Sequence, residues 1–166
     1  FGAVDRHLEV RMARHDHLVL AARRHRVGPV GRALVVDAVK RRLMSDVPLG
    51  AFLSGGVDSG ALTALAAREL PYVKTFTCGF DMSSASGIEL AFDERARAEA
   101  MSALFKTEHY EMVLKAGDME RCLPRLARHI EEPRVGQSYP NFYVAQLASK
   151  FVKVVLSGAG GDEMFA

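Results

Sequence analysis

The chain has no tryptophan and only two cysteines in its 166 residues. Cys78 and Cys122 give no disulfide framework, which fits a reducing compartment. Long apolar runs are absent too. The longest, Val47 to Leu53, contains Pro48 and Gly50 and falls well short of the roughly 18 residues that a membrane helix needs. Neither sign of charge predominates, since Lys plus Arg is 22 and Asp plus Glu is 20, a formal charge of +2. Such a balance argues for no nucleic-acid and no membrane partner. No signal-peptide pattern follows Phe1, so the expected location is cytoplasmic. What is present, 49% hydrophobic and 25% charged residues, is the composition of an ordinary globular domain. The length predicts one domain, but a start at Phe1 and an end at Ala166, just after a glycine-rich acidic segment, predict a fragment.

Periodicity divides the chain unevenly. Residues 1–28 are rich in Arg and His, with a hint of strand alternation at Val10, Met12, Leu18 and Leu20; they are set apart as an unassigned tail or linker. Residues 29–166 alternate helical patterns with short apolar runs. Val36, Val39 and Leu43 predict a helix from Arg32 that ends before the turn Ser45-Asp46-Val47-Pro48. Leu49–Leu53 then predicts a buried strand, followed by a glycine loop and a helix carrying Ala61, Leu62, Leu65, Ala66 and Leu70. Val73–Phe80 predicts a second strand, and Ala96, Ala100 and Leu104 mark the expected stripe of a helix from about Asp93. Tyr110–Leu114 is the third expected strand. Met119, Cys122, Leu123, Leu126 and Ile130 share a helical face, with Pro124 expected to delay the helix to the Leu123 region. Val144, Leu147, Ala148 and Phe151 predict one more helix, and Val152–Leu156 a fourth strand. Strands alternating with helices imply an α/β fold, a parallel sheet with helices on both faces. Ligands in such sheets bind at the carboxyl ends of the strands, which directs attention to the loops after Leu53 and Leu156.

The first loop reads Ser54-Gly55-Gly56-Val57-Asp58-Ser59. A helix start offers unpaired amides and a partial positive charge to a phosphate. Gly55 and Gly56 let the backbone close round an anion. Ser54 and Ser59 can add hydroxyl hydrogen bonds. Asp58 would repel phosphate by itself, whereas a bridging Mg²⁺ makes it a hard-oxygen ligand. On the residues alone a plain strand-to-helix turn stays open, with Asp58 stabilising the helix start. A Walker A loop is excluded because there is no Gly-Lys dipeptide. A dinucleotide fingerprint fails because Gly158-x-Gly160 is followed by Glu163 where Gly or Ala is needed.

Ser-Gly-Gly-Val-Asp-Ser resembles the PP-loop of the ATP pyrophosphatases, the adenine nucleotide alpha hydrolase-like fold. The flanking strings resemble the synthetase domain of glutamine-hydrolysing asparagine synthetases: Arg41 to Leu53, Thr75 to Phe80, Phe92-Asp93-Glu94, Thr107-Glu108-His109, and Leu156 to Phe165. The resemblance runs from about Val30 to Ala166. It implies ATP and Mg²⁺ as cofactors, with adenylation of the aspartate side chain, release of pyrophosphate, and displacement of AMP by ammonia derived from glutamine. By motif position it implies catalytic roles for Asp58, Asp162 and Glu132. It implies nucleotide contacts from Leu53, Ser54, Gly55, Gly56, Val57, Asp58, Ser59, Cys78, Ser157 and Gly158, and metal binding by Asp58 and Asp162. It further implies a missing glutaminase domain, of which residues 1–28 are the expected end, and a homodimeric parent. The sheet would be truncated after its fourth strand, and this fragment alone inactive.

The chain departs from the pattern at three places. Gly60 stands where the loop usually carries a second serine, and Ala159 where the family's asparagine synthetases carry a glutamate near the reacting acyl group. The family's loop lysine falls beyond Ala166. Two rivals therefore stand beside the primary reading: a PP-loop ligase with another acceptor, β-lactam-forming or peptide-cyclising, and a non-catalytic nucleotide-binding fragment. Elsewhere, Glu131-Glu132-Pro133 reads equally as a pocket segment or a solvated loop, and His109 as a structural histidine with a site role as its alternative. His15-x-His17 lacks the companions of a zinc site. Arg23-Arg24-His25-Arg26 reads as an exposed basic face.

Overall fold

A computed structural model describes residues 29–84, 93–130 and 138–159. The strand alternation expected before residue 28, the Glu131–Pro133 segment and Asp162 lie outside the described residues. Among those described are five helices and four strands. In chain order they are α1 (Pro29–Arg42), β1 (Leu49–Phe52), α2 (Val57–Glu69), β2 (Lys74–Phe80), α3 (Arg95–Phe105), β3 (Glu108–Leu114), α4 (Asp118–Ile130), α5 (Ser138–Ala148) and β4 (Val154–Leu156).

All four strands are parallel, in the order β3-β2-β1-β4. Phe52 lies opposite Phe76, and Ala51 opposite Leu156. The chain therefore steps from β1 outward to β3 and returns to the other side of β1. That reversal makes the carboxyl ends of β1 and β4 the topological switch point, the place where ligands bind in open parallel sheets.

The period-two alternation of strand side chains decides which helices cover which face. Leu49 and Ala51 of β1 and Leu156 of β4 are buried with Val39 and Leu43 of α1 and with Leu65 and Ala66 of α2. On the other face Phe76 is buried with Val144, Leu147 and Ala148 of α5, with Phe52, Cys78, Tyr110, Met112 and Val155 packed around them. Phe76 stacks on Tyr110 at 5.7 Å between ring centres, and Phe151 lies 4.0 Å from Tyr110. Gly50 makes room for this layer: a Cβ there would stand 2.7 Å from the Phe76 ring. The result is a sheet covered on both sides, as the alternation of elements predicts.

Two local expectations need correction. The stripe of α3 is Ala98 and Ser102, both buried, while Ala96 and Ala100 face solvent. Hydrophobicity alone cannot rank four small residues, and the close approach of α3 to the glycine loop selects the pair that lets the backbones meet. The helix α4 also begins before Pro124 and runs through it. Its Asp118 carboxylate accepts from the Lys115 amide at 2.6 Å, its Asp118 carbonyl accepts from the Tyr143 hydroxyl at 3.0 Å, and Cys122 and Leu126 are buried on either side of the proline. These interactions offset the roughly 3 kcal/mol that an interior proline costs.

Candidate functional site

The loop between β1 and α2 starts from Leu53. That residue is 1% exposed, its amide donates to the Phe76 carbonyl at 3.0 Å, and its carbonyl accepts from the buried Thr77 hydroxyl. The loop is thus tied to β2 at its first residue. Gly55 then turns with φ +78°, a left-handed conformation that costs a residue with a side chain roughly 1–2 kcal/mol. Space excludes a side chain as well, because a Cβ on Gly55 would lie 2.5 Å from the Cβ of Arg97 in α3. Gly56 is the N-cap of α2, and no side-chain cap closes that first turn.

The two serines brace the loop from within. Their hydroxyls are 2.9 Å apart; the Ser54 amide donates to Ser59 Oγ at 3.2 Å, the Gly56 amide to Ser54 Oγ at 3.3 Å, and Ser59 Oγ to the Gly56 carbonyl at 3.2 Å. Ser59 is buried and Ser54 exposed. Val57 opens α2 with its side chain exposed, and Asp58 follows in the first turn, half-buried.

The loop after β4 closes on the same place. A Cβ on Gly158 would lie 2.7 Å from the Ser59 amide nitrogen and 3.0 Å from the Asp58 carbonyl carbon. Ser157 caps this second loop by accepting the Ala159 amide on its hydroxyl at 3.2 Å. Ser54, Gly55, Gly56, Val57, Asp58, Ser59, Ser157 and Gly158 are therefore gathered at one edge of the sheet. Cys78 is there too, two residues beyond the Phe76 that faces the last residue of β1. It is half-buried, and burial pushes its thiol up to about 12, so it stays protonated and unreactive as a nucleophile. Glu132 and Asp162 lie outside the described residues.

Some contributors went unassigned in the sequence. Thr77 holds the Leu53 carbonyl, and Arg95 fastens the start of α3 to the end of β2, donating to the Phe80 carbonyl at 2.9 Å and to Asp93 Oδ2 at 2.7 Å. The same pair holds the Asp93 carboxyl below the usual carboxylate range. The string Phe92-Asp93-Glu94 was visible as a motif, but its role depends on where α3 docks. His109 has the structural character expected of it: Nδ1 meets the Thr75 hydroxyl at 2.9 Å, and burial lowers its pKa.

Chemically, this edge suits an anion held by main-chain amides at a helix start. Among the described residues no group of three or more His, Cys, Asp or Glu could hold a metal ion by itself. A single carboxylate such as Asp58 is compatible with a Mg²⁺ that would take one or two protein carboxylates and complete its shell from phosphates and water. Among the described residues no helix is long and apolar enough to cross a membrane.

The asparagine synthase family model matches residues 31–166. A Mycobacterium tuberculosis protein named, provisionally, as a glutamine-hydrolysing asparagine synthetase is 42% identical over 134 residues, covering 80% of this chain and 20% of its own length. A Methanocaldococcus jannaschii protein with the same provisional name is 39% identical over 138 residues, 81% of this chain and 25% of its own. The glutamine-hydrolysing asparagine synthetase 1 of Bacillus subtilis is 33% identical over 135 residues, 81% of this chain and 20% of its own. The chain thus spans a fifth to a quarter of the length of these relatives.

Proposed function

The chain belongs to the asparagine synthase family, and from that premise we propose that its edge of β1 and β4 binds Mg·ATP in an adenylating carbon–nitrogen ligase. The carrying observation is the convergence of the two loops, with Gly158 against the Ser59 backbone beside the left-handed Gly55. Amides of the loop and the first turn of α2 would take the phosphates, where fixed dipoles in place before reaction stabilise developing negative charge. Ser54 and Ser59 would hold that loop in shape, and Leu53, Cys78, Ser157 and Gly158 would bound the nucleotide beside it. Asp58 and Asp162 would hold Mg²⁺, which supplies charge neutralisation at the phosphates when bound.

In the reaction proposed for the longer protein, an oxygen of the aspartate side-chain carboxylate attacks the α-phosphorus. The bond to the bridging oxygen breaks and pyrophosphate leaves. Ammonia, released from glutamine by a separate domain, then attacks the acyl carbon and AMP departs. Positioning and charge stabilisation carry such steps, and the loop amides and carboxylates assigned here would supply both. Glu132 is assigned to the substrate side.

Calorimetric titration tests the nucleotide part. The chain should bind Mg·ATP, and Asp58→Ala should weaken it at least about tenfold, the effect of losing one charged interaction. Equal binding by both removes Asp58 as a metal ligand, and no binding by either overturns the reading. The aspartate part is tested in the longer protein, where aspartate, ammonia and ATP should give asparagine and AMP.

Ala159 favours a second reading in which adenylation is kept and the acceptor differs. Alanine offers no group to move a proton or orient ammonia, as an internal nucleophile of a cyclising substrate would not require. An internal amide in place of asparagine would establish it.

A further inference from the structure

The glycine loop passes into α2 through a turn with glycine at both ends. The Gly60 amide donates to the Gly56 carbonyl at 3.0 Å, and Val57, Asp58 and Ser59 lie between them. Glycine loses more conformational freedom in a helix than any other residue, and no side-chain cap closes this helix start. The serine hydroxyls brace the turn at its Gly56 end. At the other end Gly60 has no side chain with which to do so, yet it is buried.

The cover comes from α3. A Cβ on Gly60 would stand 2.9 Å from Met101 Sδ and 3.3 Å from Met101 Cε, so the thioether occupies the space that a side chain at this position would fill. One turn earlier on the same face of α3, Arg97 stands against Gly55, its Cβ 2.5 Å from where a Gly55 Cβ would be. The helix therefore touches the loop at both ends. At Gly55 the contact is made by the root of a side chain, which cannot move away. At Gly60 it is made by the tip of a partly buried methionine, an unbranched and polarisable side chain suited to filling irregular gaps.

We propose that Met101 is a positioning residue for the glycine loop: its thioether takes the place of the side chain that Gly60 lacks and holds the first turn of α2 in the form that presents its amides. The inference rests on the nucleotide reading for its consequence in binding, though not for the packing itself. A turn that is aligned only part of the time binds with an affinity reduced by that fraction. The same opening exposes the Gly60 amide to solvent, so affinity and hydrogen exchange report one equilibrium. The two positions are also coupled, because one space receives either the thioether or a methyl on residue 60. Gly60→Ala displaces only the far end of a flexible side chain, fills the gap from the other side and raises helix propensity.

The test combines Mg·ATP calorimetry with amide hydrogen exchange in the ligand-free chain and with urea unfolding. Met101→Ala should weaken Mg·ATP about tenfold, the result of the aligned turn falling to about a tenth of the population. It should accelerate exchange at the residue 60 amide more than at Leu65 and Ala66 of the same helix. Met101→Leu keeps the volume and should stay within about threefold of the wild type on both readouts. Adding Gly60→Ala to Met101→Ala should restore both to within about threefold. A merely structural Met101 would lower urea stability and leave the affinity of the folded chain unchanged. That result, or an equal loss from Met101→Ala with glycine and with alanine at position 60, overturns the proposal. Should Met101→Ala fail to fold, Met101→Val with and without Gly60→Ala carries the same comparison. A wild-type chain that binds no Mg·ATP, while Met101→Ala still opens the turn and Gly60→Ala closes it again, overturns the nucleotide reading and leaves the positioning role established.

Discussion

Gly158 and Ser59 meet backbone to backbone: a Cβ on the glycine would stand 2.7 Å from the serine's amide nitrogen. The atoms in the way belong to the start of α2, which cannot yield as the end of a flexible side chain does. Gly158→Ala is therefore expected to push the second loop away from the first. Overpacking of this kind costs about 1–3 kcal/mol, and the larger part should appear as lost Mg·ATP affinity in calorimetry, with a smaller fall in thermal stability. Wild-type affinity in this variant would separate the two loops functionally.

The paired glycines of the first loop should respond differently. Gly55→Ala meets both a φ of +78° and the Cβ of Arg97, and should lose more than about 2 kcal/mol in denaturant unfolding. Gly56 has φ −77° and ψ 163°, open to any residue, and the nearest atom to its Cβ is Ser54 Oγ at 3.3 Å. Gly56→Ala should stay within about 1 kcal/mol of wild type. Equal losses from the two would contradict the left-handed turn.

Two buried threonines predict opposite signs for the same substitution. Thr77 is 3% exposed and donates to the Leu53 carbonyl, so Thr77→Val should destabilise by about 1–2 kcal/mol. Thr63 is 0% exposed, and its hydroxyl has no hydrogen-bond partner among the described residues. Thr63→Val should leave stability unchanged or raise it by up to about 1 kcal/mol. Chemical denaturation of both variants checks the pair, and a large loss from Thr63→Val would reveal a bond to its hydroxyl.

Cys78 supplies a pH dependence. Its folded pKa of about 12 lies above the unfolded value near 8.5, so the unfolded chain binds fewer protons between these limits. The contribution is fully present below about pH 8.5 and is lost as pH rises toward 12. Urea unfolding across pH 8–10 should show stability falling more steeply in the wild type than in Cys78→Ser. Alkylation of Cys78 by iodoacetamide at pH 8 should be far slower in the folded chain than in urea.

Much of this molecule is legible in the sequence because its strands are short apolar runs bounded by turn residues. Leu49–Leu53 and Val73–Phe80 differ from the observed strands by a single residue at one end. The loop 54–59 could be read because glycines, an aspartate and serines between a strand and a helix have few other uses. The face of α3 could not be read, since Ala96, Ala98 and Ala100 are equivalent to any hydrophobicity scale and only the docked neighbour tells them apart. The helix running through Pro124 is not legible locally, because burial on both sides of the proline is a tertiary effect that local propensity does not contain.

The placement of β4 beside β1 bears on the order of folding. The strands β1, β2 and β3 pair as the chain advances, each closed by one short crossover, whereas β4 must return across about a hundred residues to reach β1. Closing a loop of that size costs on the order of 4 kcal/mol in chain entropy, and it is recovered only after the strands have paired. Ser59 and Gly158 thus become neighbours late, and an assembling chain holds three paired strands before its two loops meet at the edge proposed to bind Mg·ATP. Recovery of Mg·ATP binding during refolding should lag the recovery of sheet structure, making the ligand a probe of the last strand's arrival.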